Sequence, residues 1–187
     1  MLNLDKFFID TEDKIYGSRE GFNHDGVWNA VVKVRGHSFR ERSELLLIKD
    51  NCILIQRKDP WDLSYKIPGG STDKDLTVVE TAVKECEEEA LIVPKEVKYF
   101  GTYDVFFGKD VPVPKWLKVA KYPVEYKGYH THICVGRYDK PYEEHIDDAD
   151  KDDFYKKAKW IPISDAMKFL KDYHKRALEK YLNIIKV

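Results

Sequence analysis

The sequence predicts an α/β domain, and three observations support this prediction. Short apolar runs with strand periodicity recur along the chain, both before and after Thr77. An amphipathic helix pattern follows Thr77 directly, and a second helix pattern follows Ser164. Strand patterns that alternate with helix patterns are typical of a sheet covered by helices. At 187 residues, the chain is long enough for a single domain with a substantial core.

The predicted strands are separated by turn signals. Residues 1–26 are mixed and turn-rich, and we expect them to pack on the domain as an N-terminal extension. A hairpin is predicted to turn at Asp50-Asn51, and the apolar run at residues 45–48 indicates that its first strand is covered on both faces. A later strand is expected to be broken at Gly101. The predicted strands comprise residues 28–34, 44–48, 52–56, 97–107 and 130–138.

The helix after Thr77 carries a cluster of acidic residues. Thr77 and Glu80 form a capping box, so the helix is expected to begin just after Thr77. Glu85, Glu88 and Glu89 stand at helical spacing on one strip, where their like charges repel one another. A bound divalent cation would remove that repulsion, and carboxylate oxygens suit Mg²⁺ or Mn²⁺. The residues expected to face the core are Val79, Ala82, Val83, Cys86 and Ala90.

The stretch that contains this helix resembles the Nudix box, the signature of the Nudix hydrolases. Gly70 opens the box, and the run from Lys84 to Ile92, KECEEEALI, closes it in register, with all three acidic positions of the family's metal site present. Three positions depart from the family pattern. Leu76 stands where the family has Glu, Lys84 where it has Arg, and Leu91 where it has Gly. Lys84 keeps the charge of an arginine but not its rigid fork of donors.

The resemblance implies an α/β/α sandwich with a mixed, curved β-sheet. It also implies Mg²⁺- or Mn²⁺-dependent hydrolysis of a diphosphate linkage in a nucleoside diphosphate-X type small molecule, with water activated by the metal. The implied metal ligands and catalytic groups are Glu85, Glu88 and Glu89, with the Gly69 carbonyl as a further ligand. In the family, a loop carboxylate often reaches the metals or acts as a base. The acidic loop at residues 143–153 offers Glu143 or Glu144 for that role.

Several basic and aromatic residues are candidates for substrate binding. Arg57 and Lys66 flank the loop before the box and could hold phosphate charge through charge-assisted hydrogen bonds. The segment 111–128 interleaves lysines with aromatic residues, among them Trp116, which suits a phosphate beside a flat ring. The alternative is an ordinary surface loop whose aromatic side chains pack on the domain or on a second subunit. His130 and His132 are predicted to lie on the same face of one strand. They could bind a metal together, or they could be ordinary polar residues of the strand.

Composition narrows the range of partners. The net charge of −1 gives no general attraction for DNA or for an anionic membrane, so neither partner is expected. Neither a signal peptide nor a membrane span is recognisable. Cys52, Cys86 and Cys134 lie in apolar patterns and are expected to be reduced thiols of a cytoplasmic protein. The apolar stripe of the closing helix indicates a core contact or a homodimer contact.

Two other functions are compatible with the sequence. The first is a non-catalytic binding or regulatory module, which the three departures from the box favour and the intact glutamates oppose. The second is an isomerase similar to the isopentenyl diphosphate isomerases, because the run from His24 to Asn29 is faintly like theirs. Those enzymes use a cysteine just before the box, whereas residues 66–71 here contain none. Hydrolysis is therefore the preferred prediction.

Overall fold

The central element of the fold is one long strand, His37–Lys49. A computed structural model describes residues 20–57, 65–138 and 157–185 of the chain. Within those ranges the elements, in chain order, are β1 (Glu20–His24), β2 (Val27–Val34), β3 (His37–Lys49), β4 (Cys52–Arg57), β5 (Gly69–Ser71), α1 (Val78–Ala90), β6 (Lys95–Phe106), α2 (Lys115–Val119), β7 (Tyr126–Arg137), β8 (Lys157–Pro162), α3 (Ile163–Phe169) and α4 (Asp172–Ile185).

The sheet is mixed, and β3 is its hub. β3 pairs antiparallel with β2, β4 and β5, and parallel with β7. β1 and β8 extend the sheet beyond β2 and β4, and β6 pairs with β7. The eight strands of the described residues form a curved, open sheet with helices, which confirms the predicted fold class.

Alternate residues of β3 face two different layers of the core. Leu45 and Leu47 pack with α1, whereas Leu46 and Ile48 pack with α3 and α4, because successive strand side chains point to opposite faces. The whole run 45–48 is buried, so the predicted double-sided strand is confirmed. β3 begins at His37, well before residue 44, where the apolar pattern placed its start. Its first half carries the buried polar residues Glu41 and Ser43, whose partners lie on elements distant in sequence.

Helix α1 begins where the capping box predicts. The Thr77 hydroxyl accepts a hydrogen bond from the Glu80 backbone N–H at 3.1 Å, and the Glu80 carboxylate accepts one from the Thr77 N–H at 2.8 Å. The helix ends at Leu91, which adopts a left-handed conformation with φ 55°. The family pattern has glycine there, and glycine adopts this conformation without the steric cost of a Cβ. Val83 is only half-buried, and the fully buried face comprises Val78, Thr81, Ala82, Cys86 and Ala90.

Three further differences from the sequence prediction concern the ends of the chain. β1 is a strand within the predicted turn-rich extension, and it pairs with β2. The closing segment forms two helices rather than one. The first of them begins at Ile163 with Pro162 at its N-cap, so Ser164 is not the cap. Residues 1–19 lie outside the described residues, and the predicted packing of the extension stays a prediction.

The closing stripe packs into the core through Leu170, Leu178 and Tyr181. None of the described helices is at once long and apolar enough to cross a membrane. Cys52, Cys86 and Cys134 are free thiols, and burial raises the pKa of Cys86 and of Cys134 to about 12. Cys86 and Cys134 are buried, and such thiols are poor nucleophiles at neutral pH, whereas Cys52 is only half-buried.

Candidate active site

Glu89 joins α1 to the glycine turn of β5. One of its carboxylate oxygens accepts a hydrogen bond from the Gly69 N–H at 2.9 Å and another from the Gln56 side-chain amide. The second oxygen contacts the Lys66 ammonium at 2.8 Å. Lys66 and Gln56 also exchange backbone hydrogen bonds, so this glutamate is held by groups from β4 and from the segment before the turn.

Glu85 lies directly against Gly70. A Cβ at Gly70 would overlap the Glu85 carboxylate, so the absence of a side chain at residue 70 allows this close approach. Burial raises the pKa of Glu85, and the negative charges of Glu89 and Glu88 raise it further, to about 7. Lys66 and Arg42 oppose this rise without cancelling it. Glu85 therefore has the electrostatic environment of a carboxylate that a bound cation would stabilise.

Glu88 is the outermost of the three glutamates. Its carboxylate lies 3.8 Å from the Lys84 ammonium, as expected for two residues four positions apart in a helix. Lys84 makes its shorter contact, 2.7 Å, with Asp73 in the loop before α1. The hydrogen bond to Asp73 raises the pKa of Lys84 and is the largest influence on it. Burial has the opposite, smaller effect. Lys84 thus links the helix to that loop as well as to Glu88.

The Gly69 carbonyl faces two cations. It accepts a hydrogen bond from the Arg42 guanidinium at 3.1 Å and one from the Lys66 ammonium at 3.2 Å. The charge of Glu85, Glu88 and Glu89 and the oxygen donors of this turn fit a divalent cation chemically. Their positions fit less well, since no group of three or more acidic, histidine or cysteine side chains within residues 20–57, 65–138 and 157–185 is arranged to hold a metal.

Glu44, which is itself buried, forms a second charge cluster behind the glycine turn. Its carboxylate accepts hydrogen bonds from Tyr103 at 2.6 Å and from His174 at 3.0 Å, and lies 3.5 Å from Arg42. Burial alone would raise the pKa of Glu44, but the charges of His174 and Arg42 and the two hydrogen bonds lower it to about 2. Sequence reasoning missed this cluster. The only signal was a glutamate at the start of the apolar run 45–48.

A family model described as the NUDIX domain matches residues 38–182. The chain belongs to the Nudix family. Nudix hydrolases generally use divalent metals, and membership supports a Nudix-type hydrolase in general terms. The sequence-based recognition of the family is confirmed.

Solved structures show the same fold. The Nudix domain is similar to a MutT protein from Bacillus halodurans, with a TM-score of 0.54 and 13% identity over 74% of this chain and 79% of that one. It is similar to a MutT NUDIX hydrolase from Burkholderia pseudomallei, with a TM-score of 0.53 and 17% identity over 75% and 95% of the two chains. It is also similar to a C. elegans Ap4A hydrolase in a binary complex, with a TM-score of 0.50 and 13% identity over 78% of this chain and 98% of that one. No curated protein matches the chain.

The aromatic residues of the segment 111–128 of this Nudix domain pack against one another, and only Tyr126 among them is fully buried. The Trp116 ring lies 5.6 Å from the Tyr122 ring and 6.4 Å from the Tyr126 ring. The Arg40 guanidinium stands 4.8 Å from the centroid of the Trp116 ring. Burial lowers the pKa of Arg40, and the described residues offer it no ion pair with a carboxylate. The aromatics therefore pack on the domain, as the alternative interpretation holds, and they surround a cation as well.

Two arginines and the rings beside them form a row of cations and rings between the segment 111–128 and the glycine turn. Its members are Trp116, Arg40, Tyr129 and Arg42. Arg42, which contacts the Gly69 carbonyl, also lies 4.9 Å from the centroid of the Tyr129 ring. Tyr129 is paired in register with Arg40 across β3 and β7. Arg40 and Arg42 share one face of β3, about 7 Å apart along the strand. Neither arginine was among the candidates taken from the sequence.

The remaining candidates have separate environments. His130 contacts Asp104 at 2.7 Å and His132 contacts Glu41 at 2.8 Å, so each histidine is held by its own carboxylate. Arg57 ends β4 immediately after Gln56, and successive strand side chains point to opposite faces. Because Gln56 contacts Glu89, Arg57 faces away from that glutamate. Glu143 and Glu144 lie outside the described residues, and their role stays a prediction.

Proposed function

We propose that this Nudix domain is a metal-dependent hydrolase that cleaves a phosphorus-containing anhydride, the diphosphate linkage of a nucleoside diphosphate-X type substrate. One observation carries the proposal. Two of the three box carboxylates are fixed at the glycine turn, Glu89 by the Gly69 N–H and Glu85 against Gly70. The carboxylates of Glu85 and Glu89 thus lie against the backbone of Gly69 and Gly70, where the box resembles the family's metal site.

The proposed ligands of Mg²⁺ or Mn²⁺ are Glu85, Glu88, Glu89 and the Gly69 carbonyl. A bound ion would neutralise phosphate oxygens and favour ionisation of the attacking water. In the reaction, the water oxygen forms a bond to phosphorus while the bridging P–O bond breaks and the water proton passes to a base. Glu143 or Glu144 is the proposed source of that base.

The substrate is proposed to lie along the row of cations and rings. Arg42 stands beside the Gly69 carbonyl and can contact the diphosphate by charge-assisted hydrogen bonds. Arg40 and Trp116 lie farther along the row, where a flat ring or a further anionic group would contact both. Lys66 is proposed as a further phosphate contact, whereas Arg57 faces away from Glu89 and could contact only a part of the substrate on the other face of β4. The free thiols suit a reducing cytoplasm, where we place the enzyme.

Hydrolysis in ¹⁸O-labelled water tests the reaction. The substrates for the screen are nucleotide sugars, dinucleoside polyphosphates, NADH, ADP-ribose, nucleoside triphosphates and capped RNA, each with Mg²⁺ or Mn²⁺. We expect one labelled oxygen in one phosphate product. Turnover that leaves both phosphate products unlabelled, or conversion of isopentenyl diphosphate to its isomer, would exclude the hydrolase.

Glu89→Gln tests the site. It is expected to lower turnover at least ~100-fold, equal to about 2.7 kcal/mol of activation free energy. Glu87→Gln is the matched control, because Glu87 is an exposed glutamate of the same helix. Equal turnover of the two variants would contradict the assignment.

A non-catalytic binding module is the second candidate, and one observation favours it. The Gly69 carbonyl and both oxygens of Glu89 already accept hydrogen bonds from protein groups. A domain of this kind would bind Mn²⁺ poorly and would hydrolyse none of the screened compounds. Calorimetric titration with Mn²⁺ beside the substrate screen separates the two candidates.

A further inference from the structure

The Lys66 ammonium lies between two groups that the proposed function assigns to the metal. It is 2.8 Å from a Glu89 carboxylate oxygen and 3.2 Å from the Gly69 carbonyl oxygen. Its side chain is 10% exposed, so these two acceptors, rather than water, provide most of its surroundings. A buried ammonium requires such partners, because an unpaired charge in the interior is strongly unfavourable.

The backbone keeps Lys66 in this position. The Lys66 N–H donates to the Gln56 carbonyl at 2.8 Å, and the Gln56 N–H donates to the Lys66 carbonyl at 2.7 Å. The Gln56 side chain donates in turn to Glu89. Lys66, Gln56 and Glu89 are therefore mutually connected, and the Lys66 ammonium reaches Glu89 from a backbone position that these hydrogen bonds fix.

We propose that Lys66 is an internal competitor of the divalent cation. Its ammonium takes the place between Gly69 and Glu89, and a divalent ion that binds both groups must displace it. This inference rests on the metal ligands of the proposed function. The reason is electrostatic, since an ammonium and a divalent ion that share one carboxylate oxygen would repel each other strongly.

Competition of this kind sets the metal concentration at which the site fills. The free energy of breaking the Lys66–Glu89 ion pair is subtracted from that of metal binding, so the apparent affinity falls. The displaced ammonium stays close to the turn because the backbone of Lys66 is fixed. It would then be available to a phosphate oxygen, which agrees with the substrate contact that the sequence suggests for this residue.

The test is the affinity for Mn²⁺ without substrate, measured by electron paramagnetic resonance or calorimetry. Lys66→Met is expected to bind Mn²⁺ at least ~10-fold more tightly than the unaltered chain, which corresponds to about 1.4 kcal/mol. Lys84→Met is the matched control, because it removes the same charge beside Glu88 but no contact with Gly69 or Glu89. Its affinity is expected to change less than ~3-fold, as befits an exposed pair.

Two further variants keep the test decisive. Lys66→Gln removes the charge and retains polar groups, and it replaces Lys66→Met if that protein does not fold. Adding Glu89→Gln to the Lys66 variant is expected to abolish the gain, because the gain depends on the freed carboxylate. An unchanged or weaker Mn²⁺ affinity in both Lys66 variants overturns the proposal, and so does an equal gain in Lys84→Met.

The outcome also separates this inference from the proposed function. Tighter Mn²⁺ binding by the Lys66 variants, with no turnover of any screened compound, would support the competition and contradict the hydrolase. Turnover by the unaltered chain, with equal Mn²⁺ affinity in all variants, would support the hydrolase and contradict the competition.

Discussion

The glycine pair Gly69-Gly70 separates two carboxylates with opposite surroundings. A Cβ at Gly69 would lie 2.5 Å from Cγ of Glu44, and one at Gly70 would overlap the carboxylate of Glu85. Burial raises the pKa of both acids, yet the pKa of Glu44 is about 2 and that of Glu85 is about 7. Partners account for the difference. Glu44 faces donors and cations, whereas Glu85 faces two other glutamates. Burial therefore does not decide the charge of these carboxylates, and the same turn can contain a structural acid and a functional one.

The largest expected effect is on the structural side of this comparison. Glu44→Gln leaves Arg42 and His174 without their buried carboxylate, and removal of one member of such a cluster costs about 3–5 kcal/mol. We expect the free energy of unfolding, measured by urea denaturation, to fall by that amount. Glu85→Gln is the control, because it relieves repulsion and should leave stability equal or higher. A loss in Glu44→Gln no larger than in Glu85→Gln would show that the two acids do not differ.

The pH dependence of stability should have opposite slopes for the two acids. The folded pKa of Glu44 lies below its ordinary value of 4.5, so its stabilisation is present above pH 4.5 and is lost as pH falls towards 2. That loss amounts to about 3 kcal/mol. The folded pKa of Glu85 is raised, so its stabilisation is present below pH 4.5 and is lost as pH rises through 7.

Urea denaturation without divalent ions measures both slopes. Glu44→Gln should remove most of the loss below pH 4.5, and Glu85→Gln should flatten the change between pH 4.5 and 7. His174 adds a further acid loss, because burial lowers its pKa more than Glu44 raises it. The stabilisation from keeping His174 neutral is present above its ordinary pKa of 6.5 and declines below it. Identical pH profiles in both glutamine variants would contradict the comparison.

Alanine substitutions at the two glycines should separate stability from function. At Gly69 a Cβ meets the Ser43 backbone oxygen at 2.5 Å, and backbone cannot move aside cheaply. Gly69→Ala is therefore expected to lower the free energy of unfolding by about 2 kcal/mol. At Gly70 the three atoms nearest to the Cβ all belong to the flexible end of Glu85, so Gly70→Ala should change stability by less than ~0.5 kcal/mol.

The displaced Glu85 carboxylate should still weaken Mn²⁺ binding in Gly70→Ala. Urea denaturation and calorimetric Mn²⁺ titration, done on the same two preparations, measure the contrast. Normal Mn²⁺ affinity in Gly70→Ala would remove Glu85 from the proposed ligands. A stable Gly69→Ala would show instead that the turn is less crowded than the structure indicates.

The smallest expected effect concerns Lys84, at the solvent edge of the acidic cluster. Its contacts with Asp73 and Glu88 are exposed, and exposed ion pairs contribute about 0–1 kcal/mol. Lys84→Ala should therefore cost less than ~1 kcal/mol of stability, and its activity should require a slightly higher Mg²⁺ concentration. Lys84→Arg keeps the positive charge and should have the Mg²⁺ requirement of the unaltered chain. If Lys84→Ala leaves the Mg²⁺ dependence unchanged, Lys84 does not support the metal site.

The sequence by itself determined the elements that depend on near neighbours. Helix α1 begins after Thr77 because its capping box involves residues only three positions apart. The spacing of Glu85, Glu88 and Glu89 follows from the helical period. The covered strand at 45–48 was readable from its uninterrupted apolar run. Together with the register of the box, these local signals were sufficient for the family and the fold class.

The tertiary structure alone decided the partners of the buried charges. Glu44 is 59 positions from Tyr103 and 130 from His174, and Arg40 is 76 positions from Trp116. Lys66 looked like a phosphate contact in the sequence, yet the pairing of Gln56 with Lys66 and the packing of α1 direct it to Glu89. The physical reason is that local conformation depends on adjacent residues, whereas the state of a buried charge depends on groups that only long-range strand register and helix packing bring near.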